Sequence, residues 1–128
     1  MKEQEVVSHW LKTAEDDLDA ANKLFKAKKY HHCLFFAHLS LEKILKALVV
    51  KKTKKHALPI HNLKKLADDA ELKLSQKKEK ELREITTFNI EARYNGYKLS
   101  FYKKATKNFT QKWLKKIKEI YQWVEKMF

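Results

Sequence analysis

Two polar clusters carry residue types able to do chemistry. The first is Glu42, Lys43 and Lys46, inside LSLEKILKAL. Glu42 and Lys46 are four apart in the favourable order for a helical ion pair, worth about 0.3–0.5 kcal/mol on a surface. If Glu42 instead lies inside, it needs a partner that neutralises it. The second cluster is Asn89, Arg93 and Tyr94. Arg93 and Arg83 are the two arginines among 29 basic residues, the rest being lysine. A rigid five-donor fork is what bidentate pairing with a carboxylate or phosphate requires. Arg93 therefore either pairs with Glu42, the favoured reading, or contacts a ligand.

Other chemistries are poorly provided for. There are six histidines. His31 and His32 are adjacent and point to different helix faces. His31 and His38 are two turns apart, about 10.5 Å along a helix axis. No HExxH, no histidine pair four apart and no paired Glu-x-x-His occurs, so no metal site is expected. Cys33 is the single cysteine and lies in the apolar run CLFFA, where a thiol is usually a small core hydrophobe. It can form no internal disulfide. One glycine, Gly96, leaves no Gly-rich phosphate loop and argues against an all-β fold. No cofactor is implied.

The net charge is +13 in 128 residues. Such a surplus attracts nucleotides, RNA, DNA or an acidic protein. The lysines are scattered, however, and lysine richness also follows from composition alone. The N-terminus carries acids and no apolar stretch of signal length. The longest apolar run, Cys33–Ala37, is far short of a membrane span. A soluble, cytoplasmic protein of one domain, residues 1–128, is the expectation.

Helical spacing must position these groups. Val7, Leu11, Ala14, Leu18, Ala21 and Phe25 step by three or four and predict an amphipathic helix from Val6, closed at Lys26–Lys29. Tyr30, Leu34, Ala37, Leu41, Leu45 and Leu48 predict a second helix to about Lys52. It is apolar on most sides, which places it centrally or against another subunit. Pro59 ends a basic connection. A short helix follows over His61–Ala70. Ser75 is a cap for the next helix, which carries Leu82, Ile85, Phe88 or Asn89, and Ala92. RYNGY is a loop. Ser100 is the expected cap of a last helix with the stripe Phe109, Trp113, Ile117, Ile120 and Val124. Short connections favour antiparallel neighbours, so the expected fold is all-α: an up-and-down four-helix bundle with one additional short helix.

The order of motifs resembles the HEPN domain family. Trp10 with Asp17-Leu18 and Ala21 is similar to its opening pattern. Tyr30, Phe36-Ala37-His38, Leu41-Glu42-Lys43 and Leu45-Lys46-Ala47 match its second helix. Pro59-Ile60-His61-Asn62-Leu63 is similar to its T-H-(D/N)-L segment, and Ala92-Arg93-Tyr94 to its A-R-Y. The resemblance implies an all-α bundle, usually a homodimer. It also implies the group often encoded beside a minimal nucleotidyltransferase, pairs that commonly act as toxin–antitoxin modules. Many such toxins are metal-independent RNases whose motif is Arg, four to six residues, then His.

Here the chain departs from the pattern. Neither Arg93 nor Arg83 is followed by histidine at that distance. General acid–base cleavage needs a group titrating near neutrality. That leaves His38 or His61 as spatial substitutes. The expected function is a HEPN-like dimeric binding protein for nucleotide or RNA, partner of a nucleotidyltransferase, with Arg93, Tyr94, Asn89, Lys46, His61 and His38 as ligand-binding candidates. For His61 the plain alternative is a residue that only bonds backbone at the start of the short helix. The alternative functions are an RNase toxin with a non-standard site, and a purely structural dimeric adaptor.

Overall fold

The computed structural model describes residues 2–93 and 100–128; for Ile90, Ala92 and Arg93 it describes the backbone alone. Among the described residues helices are joined by short connections, and there is no strand. Four long helices, α1 (Glu3–Lys26), α2 (Tyr30–Thr53), α4 (Gln76–Arg93) and α6 (Lys107–Glu125), form the bundle. Two short ones, α3 (Leu63–Asp69) and α5 (Ser100–Lys104), fill the connections.

The first hairpin follows from local sequence. Glu3 and Glu5 occupy the first turn of α1 and Lys23 and Lys26 the last, matching the helix dipole. Ala14 and Ala21 are fully buried and let the α1 backbone approach α2 closely. Lys28 then turns the chain with φ of 62°. The Lys29 amide donates to the Leu24 carbonyl at 2.8 Å and the Lys28 amide to Phe25 at 3.0 Å. That is a Schellman ending, with lysine in the left-handed position where glycine is usual. Glu71 closes α3 the same way, at φ 62°, with the Leu72 amide on the Ala67 carbonyl at 3.0 Å.

Helix α2 is the centre. It packs on α1, α3, α4, α5 and α6, and one core cluster joins buried residues of all six helices. At its α4–α6 side the Phe88 ring lies 5.6 Å from Phe101, 6.0 Å from Phe109 and 5.6 Å from Trp113. Most of the apolar surface of α2 is covered within one chain, while Phe35, Phe36 and Leu39 remain partly exposed. Leu58 and Tyr102 are the exposed large hydrophobics among the described residues.

Several boundaries differ from the sequence reading. Helix α1 begins at Glu3 rather than Val6, and Arg93, read as the start of a loop, ends α4, the rest of that loop lying outside the described residues. Ser100 does not cap the last helix; it begins the separate α5. Burial of Phe101 against Phe88 holds that turn in its own direction, and Thr106 caps α6 by accepting from the Phe109 amide at 3.2 Å. Helix α3 begins at Leu63 rather than His61, because Asn62 is its cap and accepts from the Lys65 amide at 3.1 Å. The Ser75 hydroxyl accepts from the Lys78 amide at 3.1 Å, as a cap of α4 should. No described helix is long and apolar enough to cross a membrane.

Candidate functional site

His38, Glu42 and Lys46 step by four along α2 and so stack on one face of it. All three are buried, at 0%, 4% and 6% exposure. A carboxylate there must be neutralised. Glu42 spends both oxygens: Lys46 Nζ donates to Oε2 at 3.1 Å, and His61 Nδ1 donates to Oε1 at 2.7 Å. His61 arrives on the connection before α3. Its own carbonyl accepts from His38 Nε2 at 3.2 Å. That bond fixes the His38 tautomer with the proton on Nε2, since a carbonyl only accepts. Lys46 also lies 5.5 Å over the Trp10 ring of α1. Nearby, Lys43 pairs with Asp17 of α1 at 2.7 Å.

The electrostatics follow from burial. His38 is pushed down to about 4, chiefly because the interior disfavours its charged form, with Glu42 and the His61 carbonyl opposing the shift. It is neutral at pH 7. Its Nδ1 has no hydrogen-bond partner among the described residues. Burial likewise pushes the Cys33 thiol up to about 12, as expected of a core residue rather than a nucleophile.

Of the six ligand-binding candidates, His38, Lys46 and Asn89 are buried by the chain itself. Only His61 offers an exposed side chain among the described residues; 46% of it is accessible. The Arg93 side chain and all of Tyr94 lie outside the described residues. The expected Glu42–Arg93 pair therefore has one described half, and that half is bound to Lys46 and His61. Asn89 lies one turn before Arg93 on α4, with its Oδ1 unpartnered among the described residues. No cluster of three or more potential metal ligands occurs among the described residues.

Sequence reasoning passed over one concavity. A cleft of about 450 Å³ between α3 and α4 gathers Asn62, Lys64, Lys65, Asp68, Arg83 and Thr86. Its cations lean on acids of their own helices: Lys64 on Asp68 at 2.6 Å, Lys65 on Asp69 at 2.7 Å and Arg83 on Glu79 at 2.8 Å. The Thr86 hydroxyl accepts from the Leu63 amide at 3.1 Å and pins the two helices together. The choice of arginine at 83 in a lysine-rich chain was the available signal.

The sequence matches the HEPN domain model over residues 7–127. The chain belongs to the HEPN domain family. Its fold is also similar to the crystal structure of TT1696 from Thermus thermophilus, with a TM-score of 0.81 at 19% identity over 95% of this chain and 98% of that one. No curated protein matches the sequence. In this HEPN domain the α2 motif residues Glu42 and Lys46 serve, within one chain, to hold His61 and the connection before α3 onto the bundle.

Proposed function

We propose that this HEPN domain binds nucleotide or RNA as a homodimer, acting as the partner or substrate-binding component of a minimal nucleotidyltransferase in a toxin–antitoxin-like pair. The observation that carries this reading is the missing histidine: neither arginine is followed by one at four to six residues. The family's catalytic motif is absent, while the charge that attracts phosphate is retained at +13. The α3–α4 cleft adds Lys64, Lys65 and Arg83 in one concavity, each paired with an acid of its own helix that a bound phosphate would have to displace. Homodimerisation comes from the family pattern.

A thermal-shift panel of nucleoside mono-, di- and triphosphates and a uridine oligonucleotide tests binding. Co-purification with the product of an adjacent nucleotidyltransferase gene tests the partnership, and light scattering tests the dimer. Stabilisation by a panel member, reduced in Lys64→Glu/Arg83→Glu, supports the reading. Absence of binding to the panel and to the nucleotidyltransferase at micromolar concentration sinks it.

A second reading, metal-independent RNA cleavage at a non-standard site, draws on one observation. Glu42 holds the Nδ1 proton of the half-exposed His61, which leaves Nε2 as a candidate base. RNA cleavage by the wild type that disappears in His61→Ala would place this reading first.

A further inference from the structure

A further concavity lies away from both polar sites. Helices α1 and α6 each pack on α2 but barely on each other. The trough between them holds a cleft of about 780 Å³, continuous with one of about 420 Å³ through the shared residues Asn22, Lys118 and Gln122. From Glu15 to Lys26 it runs about 16 Å along α1, the length of three helical turns. Leu18, Phe25 and Leu114 give it apolar walls.

Its charge is divided lengthwise. At one end Lys26, Lys115 and Lys118 gather around Phe25 and Leu114, and none of the three has an ion-pair partner among the described residues. Lys23 is already neutralised by Asp19 at 3.0 Å. With Glu119 also counted, that end keeps two positive charges in surplus. At the other end stand Glu15 and Glu125, beside Tyr121. Glu15 of α1 and Glu125 of α6 line the same cleft as Tyr121 from opposite helices, and burial with these two carboxylates pushes the Tyr121 hydroxyl up to about 12.

We propose that this trough receives one amphipathic helix of a partner protein, its acidic C-terminal end at Lys26, Lys115 and Lys118 and its N-terminus between Glu15 and Glu125. A helix carries partial positive charge at its N-terminus and partial negative charge at its C-terminus, so the divided trough complements it in one direction only. The docked helix runs parallel to α1 and antiparallel to α6. An apolar stripe at i, i+3/i+4 and i+7 meets the walls. A nucleic acid strand fits worse, because its phosphates meet Glu15 and Glu125. The trough does not depend on the nucleotide reading above, and either proposal holds without the other.

The test uses the full chain and a fluorescent helical peptide of about 14 residues, with a leucine stripe and glutamates in its last two turns. A second peptide carries the same glutamates in its first two turns. Anisotropy should show saturable binding of the first peptide, at least about tenfold tighter than the second. Lys26→Glu/Lys115→Glu should weaken it about tenfold or more, and so should Gln122→Trp, which fills the trough without altering charge. Lys64→Glu/Lys65→Glu, on the other face, should leave it unchanged. Circular dichroism confirms that each variant is folded. Equal binding of the two peptides, no saturable binding, or indifference to the trough variants overturns the proposal. Two further results do so by naming a different occupant: displacement of the peptide by a uridine oligonucleotide, or a dimer that Gln122→Trp converts to monomer.

Discussion

His61 Nδ1 lies 2.7 Å from Glu42 Oε1, across 19 residues of sequence. The contact gives Glu42 its second partner and fixes the connection that leads into α3. Lys46 supplies the first partner, at 3.1 Å. Glu42 and Lys46 are thus paired where either charge alone would be costly.

Removing the carboxylate should leave Lys46 buried without a counter-charge. Glu42→Ala is expected to lose about 3–5 kcal/mol, the usual cost of breaking a buried pair from one side. Glu42→Leu/Lys46→Met removes both charges and should recover much of that loss. His61→Ala, which leaves Lys46 on Glu42, should cost only about 1–2 kcal/mol. Urea denaturation of the three variants orders them; equal losses would show that the network is not organised around Glu42.

Acid should weaken the fold through His38. Its folded pKa of about 4 lies below the ordinary 6.5. Between those values the unfolded chain binds more protons than the folded one, so stability rises with pH there. The contribution is fully present above pH 6.5 and is lost progressively as pH falls towards 4, by at most about 3 kcal/mol. His38→Gln keeps a donor for the His61 carbonyl but cannot titrate. Its urea midpoint should change less between pH 7 and pH 4.5 than that of the wild type.

Cys33 should be silent in the native state. With the thiol at about 12 and fully buried, alkylation at pH 8 should run roughly a thousandfold slower than for an exposed thiol. Denaturant should restore the ordinary rate. Mass spectrometry of iodoacetamide-treated protein reads both; prompt native labelling would show that the α2 core opens freely.

The helix endings hold strain that glycine would relieve. Lys28 and Lys54 adopt φ of 62° and 63°, a region that disfavours any residue with a Cβ. Lys28→Gly and Lys54→Gly should each be neutral or raise stability by up to about 1 kcal/mol, the gain offset in part by a looser unfolded chain. A melting-temperature drop of several degrees in either would contradict the left-handed geometry.

The long elements were legible because their apolar residues step with the helical period. The α1 stripe ends within the last turn at Lys26, and Tyr30 opens α2 as its spacing required. The Ser75 cap was legible for the same local reason. The break before α6 was not: no glycine or proline marks it, and it depends on Phe101 of α5 packing on Phe88 of α4. The cap that forms there is Thr106, where the sequence reading had placed Ser100. Asn62 was a readable cap whose effect is to leave His61 outside α3. Glu42 was recognised as either a surface residue or a buried one needing a partner; which partner it takes depends on where a connection 19 residues later returns, and no periodicity encodes that. Arg93 and Tyr94, named from residue chemistry, fall where the structure describes neither side chain.

Two 24-residue helices joined through Ala27–Lys29 have a consequence for synthesis. Contacts between α1 and α2 need no later sequence, so this hairpin can assemble on the nascent chain before α3 leaves the ribosome. One flank of α2 then stays bare until α6, the final helix, is translated. During that interval the half-made protein shows water the surface that the finished one hides.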